Sequence, residues 1–210
     1  MCVWVGREIE REIEREIGVT QMLNSETENE DVVRRSYGAR EMYWNSARFR
    51  ILKPFLQEFK PVLSVGSGPY EPIILNADVA CDICPLTGQF LAQQGFDHLF
   101  LVAPCTNLPF KEHEFGIAVC CEVIEHLSTF EEVDKTFSEL NRVAKNWVVT
   151  TPCNPYGKLN SEPSHKQFFT AYQLEKYGKV YKHGLHFYVV KSDKNDLFEK
   201  LLAETNEDAL

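Results

Sequence analysis

The sequence predicts an α/β domain built on a mostly parallel sheet with helices on both faces. Two observations carry that expectation. From Pro61 onward, strand-like and helix-like stretches alternate five times and then close on a hairpin pattern, as in a parallel sheet with crossover helices. The stretch Pro61-Val-Leu-Ser-Val-Gly-Ser-Gly-Pro69 reads as a short buried strand that breaks into a Gly-x-Gly turn. In such sheets, ligands sit beyond the carboxyl ends of the strands.

Composition narrows the class. The 210 residues suffice for one domain with a core, plus an extension. Hydrophobic residues make up 44% and charged residues 25%, ordinary values for a soluble domain. No run reaches the roughly 18 apolar residues of a membrane span. Charge begins at Arg7, so no signal peptide is read and a cytoplasmic location is expected. The net charge of -9 disfavours broad binding to nucleic-acid backbones. The seven cysteines form no regular framework and are expected as free thiols. Cys81-x-x-Cys84 and Cys120-Cys121 are read as small buried residues at strand ends, and no metal ligand set is assigned.

The elements follow in order. Ile9, Ile13 and Ile17 recur every fourth residue in a charged background and form one apolar stripe on a helix. That stripe either docks on the domain or offers a homo-oligomer contact. The acidic stretch over 23–32 reads as a linker, giving an extension over 1–31 and a domain over 32–210. Val32 to Phe59 is helical in pattern and the most basic segment, with Arg34, Arg35, Arg40, Arg48 and Arg50. After the opening strand, Glu71 to Leu75 leaves room for little more than one helical turn. Ala77 to Asp82 is a second strand ending on an acid. Thr87 to Gln94 is a helix, and Leu99 to Val102 and Phe115 to Cys121 are strands. Ser128-Thr-Phe-Glu131 reads as a capping box opening a helix with Val133, Phe137, Leu140 and Val143 inward. Trp147 to Thr151 is a fifth strand, and Thr170 to Gln173 opens a short helix. His183 and His186 flank the turn of a closing hairpin, and Asp193 to Leu202 is a last helix.

The chemistry lies at the strand ends. A strand, a Gly-x-Gly turn and an acid ending the next strand suit a nucleoside, with backbone close to the ligand and the acid on the ribose hydroxyls. A third glycine is missing because Pro69 follows Gly68. A pyrophosphate therefore has no cradle, and a nicotinamide dehydrogenase is a distant reading.

Asn107-Leu-Pro-Phe110 followed by Glu114-Phe-Gly-Ile-Ala-Val-Cys-Cys-Glu-Val-Ile-Glu-His-Leu127 resembles the class I S-adenosylmethionine-dependent methyltransferases, in their small-molecule-type subgroup. Glu162-Pro-Ser-His165 and Phe168-Phe-Thr170 resemble the segment after strand five in that group. The resemblance implies a Rossmann-like, seven-stranded sheet in the order 3-2-1-4-5-7-6. It implies S-adenosylmethionine as cofactor and a small-molecule methyl acceptor. Carried across, Gly66, Ser67 and Gly68 face the methionine part, Asp82 takes the ribose hydroxyls and Ile83 covers the adenine. Cys105, Asn107 and Leu108 line the adenine edge, Glu122 borders the methionine and substrate, and Arg48 reaches the cofactor carboxylate. His126 and His165 are the candidate bases, with His126 more readily read as a residue that caps or packs under the following helix.

Two positions depart from the family. Ser64 stands where an acid usually holds the cofactor's amino group, and Pro104 stands where an acid often takes the adenine amine. A catalytically weak or inactive methyltransferase-fold scaffold is the alternative these positions raise. An RNA methyltransferase using the basic segment is a further one.

Overall fold

A computed structural model describes residues 46–153 and 164–207. The Ile9 to Ile17 stripe, the acidic linker and the start of the basic segment lie outside the described residues. Seven strands form one sheet in the order β3-β2-β1-β4-β5-β7-β6. They are β1 Val62–Val65, β2 Val79–Asp82, β3 Leu99–Val102, β4 Phe115–Cys121, β5 Ala144–Pro152, β6 Lys179–His183 and β7 His186–Lys191. Strands β1 to β5 pair in parallel, whereas β7 runs antiparallel to both β5 and β6. The sheet order implied by the family resemblance is the observed one.

The helices are α1 Ala47–Gln57, α2 Glu71–Leu75, α3 Pro85–Gln93, α4 Phe130–Val143, α5 Ala171–Leu174 and α6 Asn195–Glu207, with a 3-10 turn over Ile124–His126. Strand β4 shows how they cover the sheet. Its Ala118 and Cys120 pack with Val133, Phe137 and Leu140 of α4 on one face. Its Ile117, Val119 and Cys121 pack with Phe49, Leu52 and Phe55 of α1 and Phe198 of α6 on the other. Side chains alternate across a strand, so a continuous apolar run serves two cores at once. Each such side chain, fully buried, contributes about 1.5–3 kcal/mol.

Gly116 is required by close approach. A Cβ there would meet the Phe59 carbonyl oxygen at 1.5 Å, because the chain leaving α1 crosses directly over β4. Trp147 is fully buried at the start of the fifth strand's apolar run, and its indole N–H donates to Asn141 Oδ1 at 3.1 Å. The stacked rings of Phe137 and Tyr177, 3.7 Å between centroids, close the same core.

Several boundaries differ from the sequence expectation, each for a local reason. Helix α3 starts at Pro85, the favoured first helical position for proline. Helix α4 runs straight into β5, since Ala144 is already extended, so β5 begins before Trp147. The capping box sits one residue later than expected. Thr129 Oγ1 accepts from Glu132 N–H and Glu132 returns a carboxylate to the Thr129 N–H, while Ser128 contributes only its own N–H to Glu132. The last helix starts at Asn195 and extends to Glu207.

Candidate active site

The turn after β1 is fixed by two constraints on Gly66. Its φ is +63, and a Cβ would stand 2.4 Å from Val123 Cγ2, so only glycine fits without strain. Ser67 then ties the turn to β2. Its N–H and its hydroxyl both donate to the Cys81 carbonyl, at 3.1 and 3.3 Å. This brings the glycine turn beside Asp82, the next residue along β2.

Asp82 Oδ1 accepts from the Cys84 N–H at 2.7 Å. Burial pushes its carboxyl up to about 7, against the pull of Cys84 and Thr87. Ile83 follows with 47% of its surface exposed, an apolar side chain left open at the strand end. Cys105 is half-buried, with its sulfur accepting from the Thr136 hydroxyl at 3.4 Å, and Asn107 is exposed. Leu108 follows in the same segment. Its side chain is buried, its N–H donates to Glu139 and its carbonyl accepts from Arg142, so α4 already uses its backbone groups.

Across the turn, the carboxyl ends of β4 and β5 carry a partly buried charged cluster. Glu122 adopts a left-handed conformation with φ +55. Its Oε1 accepts from the Thr150 hydroxyl at 2.8 Å and lies 3.0 Å from Arg48 Nη1, and its Oε2 lies 3.5 Å from His186 Nε2. Burial would raise this carboxyl, but His186 and Arg48 outweigh it and hold the carboxylate below its usual range. Arg48 is itself buried and Glu122 is half-buried, so this ion pair is partly shielded from water at the mouth of the sheet. Glu71, from the first turn of α2, is buried and accepts the Ser64 hydroxyl at 3.0 Å. Burial pushes it up to about 8, against Arg48 and Ser64. A carboxyl therefore stands directly on Ser64, delivered from α2.

Farther along this edge, Glu125 is buried and its Oε2 accepts from the Thr151 hydroxyl at 3.1 Å. Its backbone carbonyl accepts from the N–H groups of Lys166 and Gln167 at 2.7 and 2.9 Å. That pair of bonds docks the segment after residue 163 onto the 3-10 turn. It sets His165 edge-to-face with His126, 4.8 Å between ring centroids. The two histidines singled out in the sequence thus meet.

The described cysteines, six in number, are free thiols, and five are buried. Burial pushes Cys81 up to about 12 and raises Cys105, Cys120 and Cys121, so none of these four is an activated nucleophile. A surface cavity of about 500 Å³ lies elsewhere, lined by Phe130, Phe169, Tyr172 and Tyr177 among others, and includes none of the residues of the glycine turn.

Sequence reasoning left out Glu71, Glu125, Thr150, Thr151 and His186. The signal for Glu125 was present in the Glu-Val-Ile-Glu-His spacing, where the second acid opens the face that carries His126. Glu71 and His186 had no local signal, because their roles arise from how α2 and β7 pack.

Comparison with known proteins agrees with this architecture. The fold is that of the class I S-adenosylmethionine-dependent methyltransferases. Residues 63–147 match the family model described as a methyltransferase domain. The PH0226 protein from Pyrococcus horikoshii OT3 superposes with a TM-score of 0.55 at 15% identity, over 70% of this chain and 92% of that one. A Thermotoga maritima S-adenosylmethionine-dependent methyltransferase, described as a possible histamine N-methyltransferase, gives 0.56 at 16% identity, over 75% of this chain and 95% of that one. DhpI, solved with SAH, gives 0.54 at 15% identity, over 74% of this chain and 88% of that one. A search of the curated proteins finds no match.

Proposed function

We propose that this protein is an S-adenosylmethionine-dependent methyltransferase acting on a small-molecule acceptor. The observation that carries the reading is the coupling of the Gly66 turn to Asp82 through the Cys81 carbonyl. Backbone that a ligand can approach closely and a carboxyl suited to two ribose hydroxyls are held side by side, with exposed Ile83 ready to cover a purine. The methyltransferase-domain match over the same residues adds support, as does SAH in the DhpI complex.

In this reading, Gly66, Ser67 and Gly68 take the methionine part of the cofactor. Glu71 supplies, from α2, the carboxyl that Ser64 lacks; it is protonated in the ligand-free fold and gives up that proton as the cofactor's ammonium group settles beside it. Arg48 and Glu122 border the methionine carboxylate and the acceptor. Asn107 and the backbone of Cys105 stand at the adenine edge. His126 and His165 serve the acceptor. The sulfonium is already a strong electrophile, so alignment supplies most of the rate.

Calorimetric titration with S-adenosylmethionine and S-adenosylhomocysteine tests the proposal. Binding in the micromolar range is expected. Asp82→Ala removes a charge-assisted hydrogen bond worth about 1.5–3 kcal/mol and weakens binding by at least roughly tenfold. Folded protein that gives no heat at millimolar ligand sinks the reading, and unchanged affinity in Asp82→Ala sinks the ribose assignment.

A further inference from the structure

Glu125, His126 and His165 each offer one ligand atom, and the three atoms lie within 4.8 Å of one another. Nothing in the cofactor site described above uses them. Three details of their surroundings point to an ion. Glu125 Oε1 is buried and makes no hydrogen bond among the described residues, whereas its Oε2 is oriented by the Thr151 hydroxyl. A buried carboxylate oxygen left unsatisfied calls for an explanation, and a bound cation is one of the standard ones. His126 Nδ1–H donates to the Ser164 carbonyl at 3.2 Å. A carbonyl can only accept, so the proton sits on Nδ1 and the lone pair on Nε2. Metal-binding histidines are oriented in this way, with the second ring nitrogen donating to a backbone carbonyl or carboxylate. Finally, the backbone bonds from Lys166 and Gln167 to the Glu125 carbonyl hold His165 against this pair.

We propose that Glu125, His126 and His165 bind one divalent transition-metal ion, and that this ion takes the oxygen of a hydroxyl acceptor. Two imidazoles and one carboxylate suit a first-row ion of the manganese-to-zinc series and leave coordination positions open. Ligands about 2.1 Å from one ion sit about 3 Å apart when adjacent, so binding draws the three atoms inward. The site lies on the methyl-transfer side of the sheet, because Val123, two residues before Glu125, packs on Gly66.

The acceptor class rests on the methyltransferase reading and deepens it. The ion binds the acceptor hydroxyl and lowers its pKa, and the proton leaves to solvent. An oxygen lone pair then forms the new C–O bond to the methyl carbon. The C–S bond breaks with its electron pair remaining on sulfur, which releases neutral S-adenosylhomocysteine. The ion keeps its oxidation state throughout. His165 acts here as a ligand that positions the acceptor.

The test is a Mn2+ titration of the full chain followed by electron paramagnetic resonance, with Co2+ as second probe. Mn2+ is chosen because soft thiols compete poorly for it. One ion per chain is expected, with at least tenfold weaker binding in Glu125→Gln and in His165→Ala. Glu125→Gln keeps the side-chain shape, and half-buried His165 gives a second variant should the buried one fail to fold. S-adenosylhomocysteine is titrated into the same preparations, and His165→Ala is expected to retain its affinity. Protein that binds S-adenosylhomocysteine but neither Mn2+ nor Co2+ at millimolar concentration overturns the metal site and leaves methyl transfer standing. Undiminished Mn2+ binding in both variants overturns it equally. Protein that binds the ion through these residues but no cofactor supports the site and overturns the methyl-transfer reading instead.

Discussion

Glu71 is an acid kept from water by the fold. With its carboxyl pushed up to about 8 from an ordinary 4.5, the ligand-free fold holds a proton that the unfolded chain releases earlier. The folded state binds more protons between these values, so stability falls as pH rises from about 4.5 to about 8. Glu71→Gln removes that slope and raises stability above pH 8 by a few kcal/mol, roughly the 1.4 kcal/mol per pH unit of linkage. Melting temperature measured against pH checks this, and a variant with the wild-type slope refutes it. Asp82, pushed to about 7, adds in the same direction. Asp82 was legible in the sequence because it ends a strand after a glycine turn. Glu71 was not, because its burial depends on α2 folding back over Ser64 and on Arg48 arriving from α1.

At the scale of elements, the cap of α4 shows how a pattern can be right in kind and wrong in register. Ser128 and Thr129 are adjacent hydroxyl residues, and each has a glutamate three positions on. Sequence alone scores them alike. In the fold, the Thr129 hydroxyl accepts the Glu132 N–H, and Glu132 answers both N–H groups. Thr129→Ala is therefore expected to cost about 1 kcal/mol and Ser128→Ala close to nothing. Chemical denaturation of the two variants distinguishes the registers, and equal losses would contradict the assignment. The strands were more legible than the caps. The limits of β3 and β4 agree with their apolar runs, although only β4 is buried on both faces, whereas β3 is an edge strand that leaves Leu99 and Val102 exposed. Where α4 passes directly into β5, no turn residue marks the border, and the sequence reading placed it late.

For the whole molecule, the sheet divides the work on either side of β1. The β2 and β3 side carries Asp82 and Ile83, while the β4, β5 and β7 side carries Glu122, Glu125 and His186. Gly66 joins the halves by packing on Val123. Gly66→Ala is expected to destabilise the fold by about 2–4 kcal/mol, from left-handed backbone strain plus overpacking. Adding Val123→Ala should recover the overpacking share and leave the strain. Thermal melts of the single and double variants measure the split, and a double variant no more stable than the single one would show that the contact is not what excludes a side chain. The order of the sheet could be expected from a family resemblance, but this division could not, since it depends on which strand ends meet across the turn.

The described backbone is pinned at Cys153 and again at Lys166 and Gln167. On one side the Cys153 N–H donates to the Leu185 carbonyl at 2.6 Å, and on the other Lys166 and Gln167 both bond to Glu125. Both anchors are backbone-to-backbone hydrogen bonds. A side-chain substitution at Cys153, Lys166 or Gln167 therefore keeps the N–H that docks each segment.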